Sequence, residues 1–343
     1  MKRTVILIGC TMMTAIVCLV VLVAISGMPN DKRNGFDRQW IKPTVHLQHS
    51  YQLPLTAEKL FGTGDHLYLS EPSHQQVYRL DNNLRIRDTI HLNVNKQLRP
   101  PVNFFADANH IYIHEYNSGK LFYKGSDAVA FDSVKVSAGP FVKSLQISDS
   151  LVVIRGFING SFQPLFMRIN TRNGGQVRSD VLSAKADAGF SSDGILCSNS
   201  QKDRLFFIPY FENGIYCMDI NMQLRYQQHT IDTVFNSGIQ VTNRGEGKMK
   251  KLYASAPRVK VNKRAFANDQ LLFIESDLQS DNEKEDRFRQ YPVLDTYHIE
   301  DGSYAGSFYL PVDKQKVLSY HVNGRYLYIL LKDQLVSYAM SLP

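Results

Sequence analysis

Residues 59–71 read KLFGTGDHLYLSE and residues 103–115 read NFFADANHIYIHE, a gapless match of residue types at an offset of 44. A chain that repeats a unit of this length folds as stacked copies of one supersecondary motif, because a single copy cannot bury its own apolar face. Fainter copies keep a turn residue two places before an apolar strand: Asp149 before Leu151, Asp203 before Leu205 and Asp269 before Leu271, with Arg325 before Leu327 as the sixth. Asp and Asn suit that place because their short side chains bond nearby backbone groups and tolerate tight turns. The first aliphatic residue of each strand stands at 67, 111, 151, 205, 271 and 327, in steps of 44, 40, 54, 66 and 56. Four short strands with their loops need about 40–50 residues, the size of a propeller blade.

Further strands end in turn chemistry: Val77 to Leu80 before Asp81, Ile215 to Ile220 before Asn221, and Tyr297 to Ile299 before Glu300-Asp301-Gly302. No long segment after residue 30 keeps a helical period, whereas β-branched and aromatic residues recur throughout, so the body reads as all-β. The last unit, Val317 to Met340, has three candidate strands, and Thr44 to Leu53 is a spare strand ahead of unit one. Pairing the two ends closes a ring and removes a sheet edge open to aggregation. The expectation is an all-β, six-bladed β-propeller over residues 44–343, with five or seven blades as the competing counts.

Ahead of it, Thr4 to Ser26 is uncharged for 23 residues and follows Lys2 and Arg3. A bilayer needs about 20 apolar residues as a helix, whereas a cleaved signal has a shorter apolar stretch of about 7–15. Residues 1–30 therefore read as a signal-anchor or transmembrane helix, and residues 31–43 as a linker. Cleavage near Ala24-Ile25-Ser26 is the competing reading, and Leu7-Ile8-Gly9-Cys10 is a weaker lipoprotein-type box. Lys2 and Arg3 favour a cytoplasmic amino terminus. The net charge of +7 suits an anionic partner, and a body beyond the membrane excludes nucleic acid.

This organisation resembles the six-bladed β-propellers of the bacterial envelope, of the membrane-anchored type, over roughly residues 44–340. The resemblance implies a single-pass protein of the bacterial inner membrane with its propeller in the periplasm. A single tryptophan, Trp40, sets the chain apart from WD40 repeats, which carry one per blade.

The segment Arg244 to Arg264, joining units four and five, holds eight basic residues against Glu246 alone. Lys250, Lys251, Tyr253, Arg258, Lys260, Lys263 and Arg264 are the candidate binding residues. A second insertion, Ser280 to Arg289, carries the charge-dense run DNEKEDR. In a propeller the links between blades and the middle hairpin of each blade leave the same rim, so both insertions belong to one face, where loops on a rigid scaffold serve binding. The expected function is a membrane-tethered extracytoplasmic binding or scaffold module for a protein or anionic polymer. The alternative is a hydrolase or lyase working in the central channel, with Asp107, Asp187 and Asp193 as acids near inner strands.

No nucleophile elbow, zinc-protease helix motif or phosphate loop occurs, and neither a cofactor nor a metal is expected. His110 and His114 share one strand face but lack further ligands at a zinc spacing, which favours structural roles. Cys197 and Cys217 fall on first and third strands, beyond bridging reach, and are expected as two free, buried thiols.

Overall fold

The computed structural model describes residues 2–25, 34–63, 66–94, 98–136, 139–157, 164–179, 181, 193–238, 241–244, 251–254 and 259–341. The chain opens with helix α1 (Lys2–Ile25), followed by strand β1 (Thr44–Gln52). Blade one is β2 (Lys59–Thr63), β3 (His66–Ser70), β4 (Gln76–Leu80) and β5 (Ile86–His91); blade two is β6 (Val102–Ala106), β7 (His110–Glu115), β8 (Lys120–Gly125) and β9 (Asp132–Lys135). Blade three comprises β10 (Phe141–Gln146), β11 (Leu151–Phe157), β12 (Pro164–Asn170) and β13 (Gln176–Ser179). In blade four come β14 (Gly194–Ser198), β15 (Arg204–Pro209), β16 (Gly214–Asp219) and β17 (Leu224–His229). A two-stranded hairpin, β18 (Val241–Arg244) and β19 (Lys251–Ala254), precedes blade five. That blade is β20 (Asn262–Ala267), β21 (Leu271–Ser276), β22 (Val293–His298) and β23 (Tyr304–Tyr309), with helix α2 (Glu285–Gln290) between its middle strands. Blade six pairs β24 (Val317–Asn323), β25 (Tyr326–Leu331) and β26 (Gln334–Ser341) with β1 at its outer edge.

The ring closes as the two chain ends require: β1 runs antiparallel to β26 from Thr44↔Ser341 to Gln52↔Gln334. Six apolar clusters fill the six interfaces between successive blades, including one that joins blade six to blade one through Leu330, Leu335, Leu60 and Leu69. Each such Leu or Phe contributes about 1.5–3 kcal/mol by leaving water. Because blades stack on both sides, the middle strands are buried on both faces: all six residues of β21, LLFIES, are buried. Outer strands lack a neighbour on one edge and stay wet, as β17 does.

The periodic aliphatic residues all start the second strand of a blade, but the turn before it is held by residues further upstream than expected. Asp107 Oδ1 accepts from the amides of Asn109 and His110, Asn268 Oδ1 from Gln270 and Leu271, and Asn199 Oδ1 from Asp203 and Arg204. The next turn uses the same device, with Asp81 and Asp219 each accepting two amides beside Leu84 (φ 66°) and Met222 (φ 65°).

Residues 34–41 are packed onto blade five. Arg38, 2% exposed, reaches Glu283 at 2.6 Å and Asp295 at 2.8 Å, and donates to the Leu278 carbonyl at 3.0 Å. Asn34 amide donates to Asp281, and Trp40 stacks on Tyr309 at 4.8 Å. The strap passes so close to Gly306 (φ +136°) that a Cβ there would meet Ile41 Cγ2 at 2.5 Å, which fixes glycine at this position. Helix α1 spans 24 residues, and side chains are described for residues 7–22; among the described residues no helix is long and apolar enough to cross a membrane. Leu7, Met12, Met13, Leu19 and Leu22 are more than half exposed.

Candidate functional site

Inner strands β2, β6, β10, β14, β20 and β24 line a central channel with two mouths. At the upper rim, where the inner strands begin, Lys59, His74, Phe104, Tyr210, Lys263, Arg264 and Tyr320 border one cavity. The lower cavity runs past Phe105, Gln146, Cys197 and His321 to the turns at Asn199 and Asn323. Among the described residues, chain connectivity brings the hairpin β18–β19, in the link between blades four and five, and the middle hairpin of blade five out at the upper rim.

The upper mouth is dominated by cations. Arg264 and Lys263 hold the fully buried Glu275 at 2.8 and 3.1 Å, and Tyr320 donates its hydroxyl to the same carboxylate at 2.9 Å. Two blades away, on blade three, Lys143 and Arg155 lie 3.6 and 3.9 Å from Asp193. Tyr210 is bracketed by two ammonium groups, Lys260 at 4.8 Å and Lys143 at 5.0 Å from its ring centre. Burial lowers the pKa of Lys260, Asp277 opposes this, and Arg264 and Lys263 reinforce it by like-charge repulsion. Lys143, Lys260, Lys263 and Arg264 give the mouth around Tyr210 more positive than negative charge, with cation–π contacts holding two of the lysines in place.

Of the residues singled out by sequence, Lys260, Lys263 and Arg264 meet at this mouth. Lys251 and Tyr253 lie on β19, while Lys250 and Arg258 fall outside the described residues, as does Asp187. Asp193 serves Lys143 and Arg155, and Asp107 caps a turn and accepts from the Tyr112 hydroxyl at 2.7 Å. The second insertion turns part of its charge inward: Asp281 and Glu283 hold the strap.

The channel waist holds what sequence reasoning missed. Lys59 borders both cavities; its ammonium donates to Asn103 Oδ1 and sits 5.2 Å from the Phe105 ring centre. Burial pulls its pKa down to about 8, with Glu58 opposing. His114 is buried, with Nε2 2.8 Å from Gln146 Oε1, and burial together with Lys59 drives its pKa to about 3. The same two causes bring His321 to about 4. A signal was available: counting eight residues back from the periodic aliphatics reaches Lys59, Asn103, Lys143, Cys197, Lys263 and Ser319. Strand pairing keeps Lys59, Asn103 and Ser319 at one level, opposite Ser70, His114 and Leu330. Bulges and unequal turns shift the other three.

Cys197 and Cys217 are free and flank Phe206 of the intervening strand β15. Cys217 is buried as expected, but Cys197 is half-buried and borders the channel, because β14 is the innermost strand. Burial raises both thiols, to about 12 and about 11. His110 lies 3.4 Å from Asp107 at the lower turn. Among the described residues no group of three or more His, Cys, Asp or Glu could hold a metal ion.

No family model matches the chain, and no curated protein matches it. Among solved structures, a member of the DUF4221 family from Bacteroides vulgatus aligns with a TM-score of 0.51 at 15% identity, over 91% of this chain and 99% of that one. Streptogramin B lyase aligns at 0.49 and 10% identity, over 87% and 98%. BamB from Moraxella catarrhalis aligns at 0.43 and 11% identity, over 86% and 97%. The first of these likenesses shows a common β-propeller fold and nothing finer.

Proposed function

We propose that this chain is a membrane-tethered binding propeller whose upper rim takes an anionic partner, a protein or polymer, on the side of the membrane away from the amino terminus. The observation that carries the reading is the cationic upper mouth, where Lys143 and Lys260 bracket Tyr210 beside Lys263 and Arg264. Tyr210 adds apolar area with a polar tip, the usual make-up of a contact surface. The tether is supported by the uncharged run Thr4 to Ser26 and by the exposed apolar side chains around α1. Asn34, bonded to Asp281 on the upper rim, comes nine residues after Ile25, a reach of at most about 30 Å. That short reach supports a basic rim turned toward the membrane. A propeller of the periplasmic face of the inner membrane fits this arrangement.

Polyglutamate binding by the full chain in lipid nanodiscs tests the reading. Binding is expected to weaken steeply with salt, and Lys250→Gln, Lys251→Gln, Arg258→Gln and Lys260→Gln together are expected to reduce it strongly. Salt-insensitive binding that the fourfold variant leaves undiminished refutes the rim as the site.

A further inference from the structure

The channel waist lies below the rim, and Lys59 borders the cavity on either side of it. Among the described residues no carboxylate oxygen lies within 4.0 Å of the Lys59 ammonium. Its sequence neighbour Glu58 is engaged 3.0 Å from His74 Nε2. Two imidazoles stand close enough for Lys59 to oppose their protonation, and each has a buried nitrogen without a hydrogen-bond partner: Nδ1 of His114 and Nε2 of His321. Phe105 supplies an apolar wall, packed at 4.8 Å against His114. The waist thus offers one cation, a neutral imidazole nitrogen on His321 and an aromatic face, with no carboxylate among the described residues to complete the set. A buried cation without a counter-ion is costly, and a fold retains that cost where a ligand supplies the missing charge.

We propose that the waist binds a small organic monocarboxylate, with its carboxylate paired to Lys59 and its body against Phe105. One negative charge matches the one ammonium at the waist; a dianionic phosphate there would carry a second charge that this single ammonium does not meet. His321, in the tautomer with hydrogen on Nε2, donates to the second carboxylate oxygen. The upper mouth lies on the route in, and its lysines raise the local concentration of anions. Loss of the ammonium above about pH 8 switches the site off.

Benzoate is the probe, followed by saturation-transfer NMR with the full chain in detergent micelles. At pH 7 a saturable signal is expected, about tenfold weaker affinity in Lys59→Met, and no displacement by chloride at equal ionic strength. Raising the pH to 9.5 abolishes binding in the parent chain, while Lys59→Arg, charged throughout, retains it. A cooperative thermal transition in each variant shows that it is folded. Equal benzoate affinity in Lys59→Met, a response flat across pH 7–9.5, or equal displacement by chloride overturns the proposal.

Discussion

Arg38 and Lys59 are both cations drawn out of water, and the fold treats them in opposite ways. Around Arg38, burial works against the charge, but Asp295 and Glu283 outweigh it and its pKa is raised. Three elements converge to make this so: the strap, β22 and the hairpin that carries Glu283. Around Lys59 there is an amide and an aromatic ring, and its pKa falls to about 8. A fully partnered buried charge organises structure; an unpartnered one at a cavity is poised for something that arrives from outside.

The largest effect should come from breaking the partnered site. Arg38→Met leaves Glu283 and Asp295 buried without their cation, and a loss of about 3–5 kcal/mol in urea unfolding is expected. A loss below about 1 kcal/mol would mean that the strap is held by Trp40 and the backbone bonds of Ile41 and Ser307, with the ion pairs adding little. Arg38→Lys sharpens the point, because a single ammonium cannot reproduce the fork that reaches Asp295 through both Nε and Nη2.

The opposite sign is expected at the waist. Lys59→Met removes a desolvated charge while keeping the aliphatic stem, so the variant should be more stable than the parent by about 1–3 kcal/mol at pH 7. The gain should shrink with pH in a defined window. Lys59 has a folded pKa near 8 against 10.5 unfolded, so between those values the unfolded chain binds more protons and parental stability rises with pH. Urea midpoints of both chains should converge from pH 8 toward 10.5; a constant difference would show that packing, not charge, separates them.

The scaffold was legible in the sequence because propeller blades repeat. The aliphatic at the start of each second strand recurs six times, and a lone strand before the first unit answers a missing one in the last. The basic mouth was half legible: Lys260, Lys263 and Arg264 belong to a charge run that stands out in one dimension, but Lys143 and Tyr210 join them from other blades and Glu275 from the neighbouring strand of blade five. Lys59 was invisible for a different reason. It sits inside an apolar repeat where a lysine reads as a solvent-facing edge, and its register depends on turn lengths that differ among blades. The strap was missed because Arg38 finds Asp295 across 257 residues of sequence, a pairing no local pattern records.

The smallest effect probes whether the two imidazoles belong to the same unpartnered environment as Lys59. His321 and His114 have folded pKa values near 4 and 3 against 6.5 unfolded, so as pH falls below 6.5 the unfolded chain takes up protons that the native channel refuses. Stability should be full above pH 6.5 and decline toward pH 4. His321→Phe should remove about 1 kcal/mol of the loss between pH 7 and 5, an effect smaller than the two-site difference because His321 is partly open to the channel. In Lys59→Met the pKa of His321 should rise, since the ammonium that repels its proton is gone, and the acid decline, which still begins near pH 6.5, should be smaller and level off at a higher pH. If His321 titrates identically with and without Lys59, as followed by its imidazole resonances, the two groups do not share a field. The waist would then be a set of separate buried polar groups, and its contrast with the Arg38 site would reduce to packing alone.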